Sequence, residues 1–170
     1  MLGFGGVPKF PEFEEKLTSQ CFPLTGKAQH PYVNGIKGIM KAYQESFNYV
    51  DLSSPTYFEP IIRYSMLQAK KKKEAGSVDY TVLLLLTDGK CHDMQDTINA
   101  IIESADLPLS VIIIGIGAGD FSRMDLLDGD KGLKNHEGVE AARDLVQFVP
   151  FKNYESNYQL MAKRVLEEIP

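Results

Sequence analysis

An acidic side chain, Asp88, sits between an uninterrupted apolar run and a glycine in the segment Tyr80 to Gly89, YTVLLLLTDG. If the run is a strand of an open α/β sheet, its carboxyl end is where such sheets hold ligands, and Asp88 is delivered there. A hard oxygen donor in that place suits Mg²⁺, which binds through few protein carboxylates and keeps several waters. The structural alternative is that Asp-Gly after a strand is an ordinary turn. Hydroxyls are natural companions of a carboxylate around such an ion, and Thr56 is the candidate. It also has a structural reading: Thr56-Tyr57-Phe58-Glu59 has capping-box spacing at the start of a helical pattern, worth about 1 kcal/mol or less. Spacing does not separate cap from ligand.

Other chemically suggestive clusters are weaker. Cys91-His92-Asp93 are three adjacent residues on a strand-to-helix turn, whose side chains rarely converge, and no second pair stands at zinc spacing. Gly115-Ile116-Gly117-Ala118-Gly119-Asp120 has the outline of a dinucleotide loop, but Asp120 occupies the sixth position, where glycine is required and where a carboxylate would repel a pyrophosphate. A plain glycine-rich turn is the better reading. His30, His92 and His136 accompany no serine or cysteine at a nucleophile elbow, so nucleophilic catalysis has no support.

The elements that must position these residues follow from periodicity. Tyr80 to Thr87 is β-branched, aromatic or leucine without polar alternation, which predicts a central strand covered on both faces. Met94, Ile98, Ile101, Ile102 and Ala105 then mark a helix, started near His92 or Asp93 and stopped by Leu107-Pro108. A second apolar run, Leu109 to Ile116, completes a βαβ unit of two parallel, neighbouring strands. Upstream, Val33, Ile36, Met40, Tyr43 and Phe47 fall on one face of an amphipathic helix. A second helix carrying Ile61, Ile62, Met66 and Ala69 ends in Lys70 to Lys73, where cations suit the helix dipole. Downstream, the pattern predicts a short helix over Phe121 to Leu127, a polar glycine-punctuated stretch over Asp128 to Gly138, a last strand over Leu145 to Val149, and a closing helix lined by Tyr154, Tyr158, Met161, Val165 and Ile169. Val7 to His30, interrupted by Pro8, Pro11 and Pro23, predicts mostly loop, with a short edge strand at Gln20 to Leu24.

Bulk properties narrow the function classes. At 170 residues with 44% hydrophobic composition, the chain fits one domain, residues 1–170. A net charge of −5 gives no long-range attraction to nucleic acid. Cys21 and Cys91 form neither a disulfide framework nor a zinc pair, which fits a reducing, cytoplasmic compartment. No apolar run reaches the length of a membrane span, and the first residues lack the regions of a signal peptide.

Several segments together carry a resemblance: LGFGG near the start, GIKGIMKAYQESF at Gly35 to Phe47, SPTYFEPII at Ser54 to Ile62, the stretch from Leu83 to Phe121 with TDG followed by DMQDT and LPLSVIIIG, then MDLLDGD and DLVQFVPF. On these the chain resembles the von Willebrand factor A-type (vWA) domain of the copines over nearly its whole length. Plant ubiquitin ligases with a RING domain use a related A domain, but no RING cysteines occur here. The resemblance implies a doubly wound, mostly parallel, Rossmann-like α/β sheet. It also implies a metal-ion-dependent adhesion site (MIDAS) at the carboxyl edge, where a partner's carboxylate completes a bound Mg²⁺ or Mn²⁺. Thr56 matches the family's threonine ligand and Asp88 the aspartate of its TDG loop. In the copines such a domain follows two C2 domains that bring calcium-dependent phospholipid binding, so membrane contact is expected only through those.

One part of the family's pattern has no match: the Asp-x-Ser/Thr-x-Ser loop after a first strand. Asp51-Leu52-Ser53-Ser54 has the residue types without the spacing or a preceding strand. The expectation is therefore a domain truncated at its amino end, with a weakened site and a long apolar strand edge left open. Three functions are compatible with these residues. The leading one is a non-enzymatic interaction module that binds intracellular proteins through an acidic side chain. The second is a Mg²⁺-dependent phosphoryl-transfer or hydrolytic enzyme using Asp88, which lacks an evident phosphate-cradling loop or base. The third is a scaffold whose Asp88 is tied up in turn hydrogen bonds.

Overall fold

The computed structural model describes residues 1–13, 17–129, 132–167 and 169–170. It divides into two compact units, Met1–Ile61 and Ile62–Pro170.

In the first unit, short strands form two antiparallel ladders: β1 (Leu2–Gly3) pairs with β3 (Phe22–Pro23), and β2 (Gly6–Pro8) pairs with β4 (Val50–Leu52). The sequence predicts only β3 among these. Elements of two or three residues are too short to show a period, and Pro8 and Pro23 argue against strands. Both prolines are tolerated because each ladder has two strands only, and the further bridge on β2, to Ser19, is made at Gly6 and not at Pro8. The unit's interior is aromatic: Phe10, Phe22 and Phe58 are buried, Phe10 stacks on Tyr49 at 5.1 Å, and Phe4 meets Phe58 edge-on at 5.6 Å. The expected helix forms as α1 (Gly35–Ser46), yet its bulky stripe is exposed: Ile36, Met40, Tyr43 and Phe47 face solvent while Ala42 and Ser46 are buried. Small side chains permit the closest backbone approach, so the helix is seated on its slender face.

Helix α2 (Glu59–Glu74) begins in this unit and continues in the second, with Glu59 in its first turn and Lys71, Lys72 and Lys73 in its last, both favourable to the dipole.

The second unit is α/β. Strands β5 (Thr81–Thr87), β6 (Leu109–Gly115) and β7 (Val146–Pro150) form a parallel sheet in the order β5-β6-β7, with Leu84 opposite Ile112 and Ile113 opposite Phe148. Helix α3 (Met94–Ser104) connects β5 to β6, and α4 (Ser122–Leu127) follows β6. A 3₁₀ turn at Phe151–Tyr154 and α5 (Tyr158–Val165) follow β7. Phe151, Tyr154, Met161, Val165 and Ile169 pack against Ile112, Ile114 and Val149, so the closing stripe covers one sheet face. Tyr158, predicted in that stripe, is exposed. The α/β class with a parallel, Rossmann-like sheet is as the sequence predicts.

The position of β5 departs from the central strand that periodicity predicts and agrees with the open apolar strand edge that the family resemblance implies. All seven residues of β6 are buried, and β6 is the middle strand, whereas β5 is an edge strand whose Val82, Leu84 and Leu86 are exposed and whose Leu85 and Thr87 are buried. Among the described residues no strand pairs with its outer edge. Successive side chains point to opposite faces, and here only one face is covered. An all-apolar composition reports how greasy both faces are, not what lies against them.

The amino ends of the sheet are gathered by Arg143. Its guanidinium donates to the carbonyls of Ala105 (3.0 Å), Leu107 (3.1 Å) and Leu109 (2.5 Å), and to the Tyr80 hydroxyl (3.2 Å), which is itself 2.8 Å from Ser110 Oγ. The last aspartate of the LDGD motif, Asp130, lies outside the described residues, as do residues 14–16 of the predicted loop. No described helix is long and apolar enough to cross a membrane.

Candidate functional site

At the carboxyl ends of β5 and β6 the second unit opens a cleft of about 550 Å³, lined by Asp88, Lys90 and His92 from the loop after β5 and by Gly117, Asp120 and Arg123 from the segment after β6. The strand-to-turn sequence Thr87-Asp88-Gly89 builds its rim. Thr87 is buried and its Oγ1 accepts from the Gly89 N–H at 3.1 Å, which holds the turn to the strand end. Gly89 has φ +100, a conformation that L side chains rarely adopt. Asp88 is exposed; its Oδ1 accepts from the Lys90 N–H at 3.2 Å and its Oδ2 lies 3.9 Å from Lys90 Nζ. The carboxylate is therefore both in a local turn and open to the cleft.

Asp120, across the cleft, accepts from the Ser122 N–H at 3.0 Å, and that hydrogen bond holds its carboxyl below the usual range. Cys91 is buried, and burial pushes its thiol up to about 11. Its Sγ is 3.3 Å from Asp93 Oδ1 and 3.7 Å from Thr97 Oγ1. The thiolate is the form that binds metals, so a protonated, buried Cys91 is a poor soft-metal ligand. Among the described residues no group of three or more His, Cys, Asp or Glu is arranged to hold a metal. What the rim offers a cation is a hard carboxylate with room for water around it. This donor set suits a sparsely liganded Mg²⁺ or Mn²⁺.

Thr56 belongs to the first unit, on the segment between the cis Ser54-Pro55 bond and α2. It is half-buried beside Gly5, where a Cβ would stand 3.3 Å from Thr56 Oγ1. Gln20 fixes the backbone on either side. Its Nε2 donates to the Pro55 carbonyl at 2.7 Å, and its Oε1 accepts from the N–H groups of Tyr57 (3.1 Å) and Gly5 (3.0 Å). The sequence gives Gln20 no role beyond opening a strand. Its partners are far away along the chain, and no spacing could announce them.

A family model described as copine matches residues 1–170. The chain is 39% identical to Copine-C of Dictyostelium discoideum, with 100% of the chain aligned, and 40% identical to Copine-B of the same organism, also over 100%. It is 38% identical to Protein BONZAI 1 of Arabidopsis thaliana, over 99% of the chain. The chain belongs to the copine family. It spans 31%, 31% and 28% of the lengths of these three relatives. This copine domain thus carries Asp88 on an exposed strand-end turn of its second unit, and Thr56 on a loop of its first that Gln20 braces.

Proposed function

We propose that this copine domain is a non-enzymatic protein-interaction module in which Asp88 supplies a carboxylate to a Mg²⁺ or Mn²⁺ ion. An acidic side chain of a partner protein would complete the ion's coordination. One observation carries the reading: Asp88 stands exposed at the carboxyl end of a parallel strand and lines the cleft, with Lys90 Nζ 3.9 Å from its Oδ2. When bound, the ion would supply a Lewis-acidic anchor for the partner's carboxylate. Thr56 enters on the family resemblance as the hydroxyl ligand. Phospholipid attachment is assigned to other domains of the longer family members. The Asp88-to-Lys90 turn bond supports a competing scaffold role, in which the carboxylate only shapes the loop.

Titration calorimetry with Mn²⁺ separates the two. Under the metal reading the chain binds Mn²⁺, Asp88→Ala abolishes binding while changing stability by about 0.5 kcal/mol or less, and Thr56→Ala weakens it. Equal Mn²⁺ binding by the parent chain and Asp88→Ala would leave only the scaffold.

A further inference from the structure

The two loops that flank the cleft are bolted to each other. The Ile116 N–H donates to the Thr87 carbonyl at 2.8 Å, and Arg123 Nη1 donates to the Cys91 carbonyl at 2.5 Å. Between those bolts two glycines face each other's loops reciprocally. A Cβ on Gly119 would stand 2.2 Å from the Asp88 carbonyl oxygen, and a Cβ on Gly89 would stand 2.6 Å from the Asp120 carbonyl oxygen. The Phe121 ring wedges the same junction, 2.7 Å from where a Cβ on Gly115 would be and 3.0 Å from one on Gly89. The same ring lies 5.5 Å from that of Phe148, between centroids.

From this packing we infer that Gly119 is a positioning residue for Asp88: the absence of a side chain at 119 sets where the Asp88 backbone, and hence its carboxylate, can stand. The inference rests on the metal reading of Asp88. Gly119 is not in the left-handed region, so alanine would be acceptable to its own backbone and the cost arises from the neighbour alone. That neighbour is a backbone atom, which cannot rotate aside as the end of a side chain can. Relieving a 2.2 Å approach requires a displacement of about 1 Å. Ligand constellations tolerate about 0.5 Å. The loop after β6 therefore acts as the template against which the metal-facing turn is moulded, although none of its atoms need touch the ion.

The test is Gly119→Ala, beside Ala118→Ser as a control in the same loop. Three measurements are made: Mn²⁺ affinity by calorimetry, the urea midpoint, and the amide resonances of Asp88, Gly89 and Lys90 without metal. The expected result is affinity weakened about tenfold or more, a preserved cooperative transition, and displaced Asp88 to Lys90 resonances, with Ala118→Ser unchanged in all three. Unmoved resonances, or Mn²⁺ affinity equal to that of the parent chain, would overturn the inference. If the parent chain itself binds no Mn²⁺, the metal reading fails separately and the resonances alone decide the positioning claim. Should Gly119→Ala not fold, Phe121→Leu removes the wedge without adding an atom at 119. It should shift the same resonances, and their constancy would count against the template.

Discussion

Strands β5 and β6 are nearly interchangeable as text, TVLLLLT and LSVIIIG, yet one has alternate side chains in solvent and the other has none. The difference lies in their neighbours. β6 is paired on both sides, by β5 and β7, and both of its faces are covered. β5 is paired on one side and covered on one face, so Leu85 is buried while Leu84 and Leu86 are more than half exposed at 57% and 53%. Burial, and with it the energetic weight of a leucine or isoleucine, is thus a property of position in the sheet. The candidate site depends on the less protected of the two strands, since Asp88 hangs from β5.

That contrast can be broken in three places. Ile113→Ala in β6 should cost the most, about 4 kcal/mol, because a fully buried side chain leaves a cavity that its neighbours cannot close. A urea titration showing a loss below about 1 kcal/mol would mean that the middle strand is not the rigid core described. Arg143→Met tests what holds the amino ends of both strands together. Four carbonyls, those of Ala105, Leu107, Leu109 and Asp144, and the Tyr80 hydroxyl lose their guanidinium donor, and the expected loss is about 2 kcal/mol. A neutral effect would show that water replaces the guanidinium without penalty. Leu84→Lys in β5 should have the smallest effect, within about 0.5 kcal/mol, since the position is exposed. The same change should reduce self-association in light scattering, because a charge on an open strand edge opposes pairing with another chain. A large destabilisation by Leu84→Lys would show that something covers this face in solution.

The site was legible in part, and for identifiable reasons. Asp88 could be found because a strand and the turn after it are contiguous in sequence: an apolar run ending in Thr-Asp-Gly says that a carboxylate follows a strand wherever that strand sits. The helices α2 and α3, the strand β6 and the closing stripe of α5 were visible for the same reason, their periods being local. Gln20 and Gly119 were not visible as positioning groups. Gln20 braces Gly5, Pro55 and Tyr57, and Gly119 matters through the Asp88 carbonyl, all partners brought close by the fold. The stripe of α1 has helical spacing, yet nothing in it tells which face the unit buries, because Ala42 and Ser46 carry no hydrophobic signal.

By itself, then, the sequence determined the types of the elements in the second unit, their order, the family, and the delivery of Asp88 to a strand end, since each is written in neighbouring residues or in segment-by-segment similarity. Only the tertiary structure decided which face of β5 is covered, that α1 turns its large side chains outward, and that two glycines let the loops after β5 and β6 interlock. Those outcomes depend on which surfaces meet across long stretches of chain, and periodicity describes a surface without naming its partner.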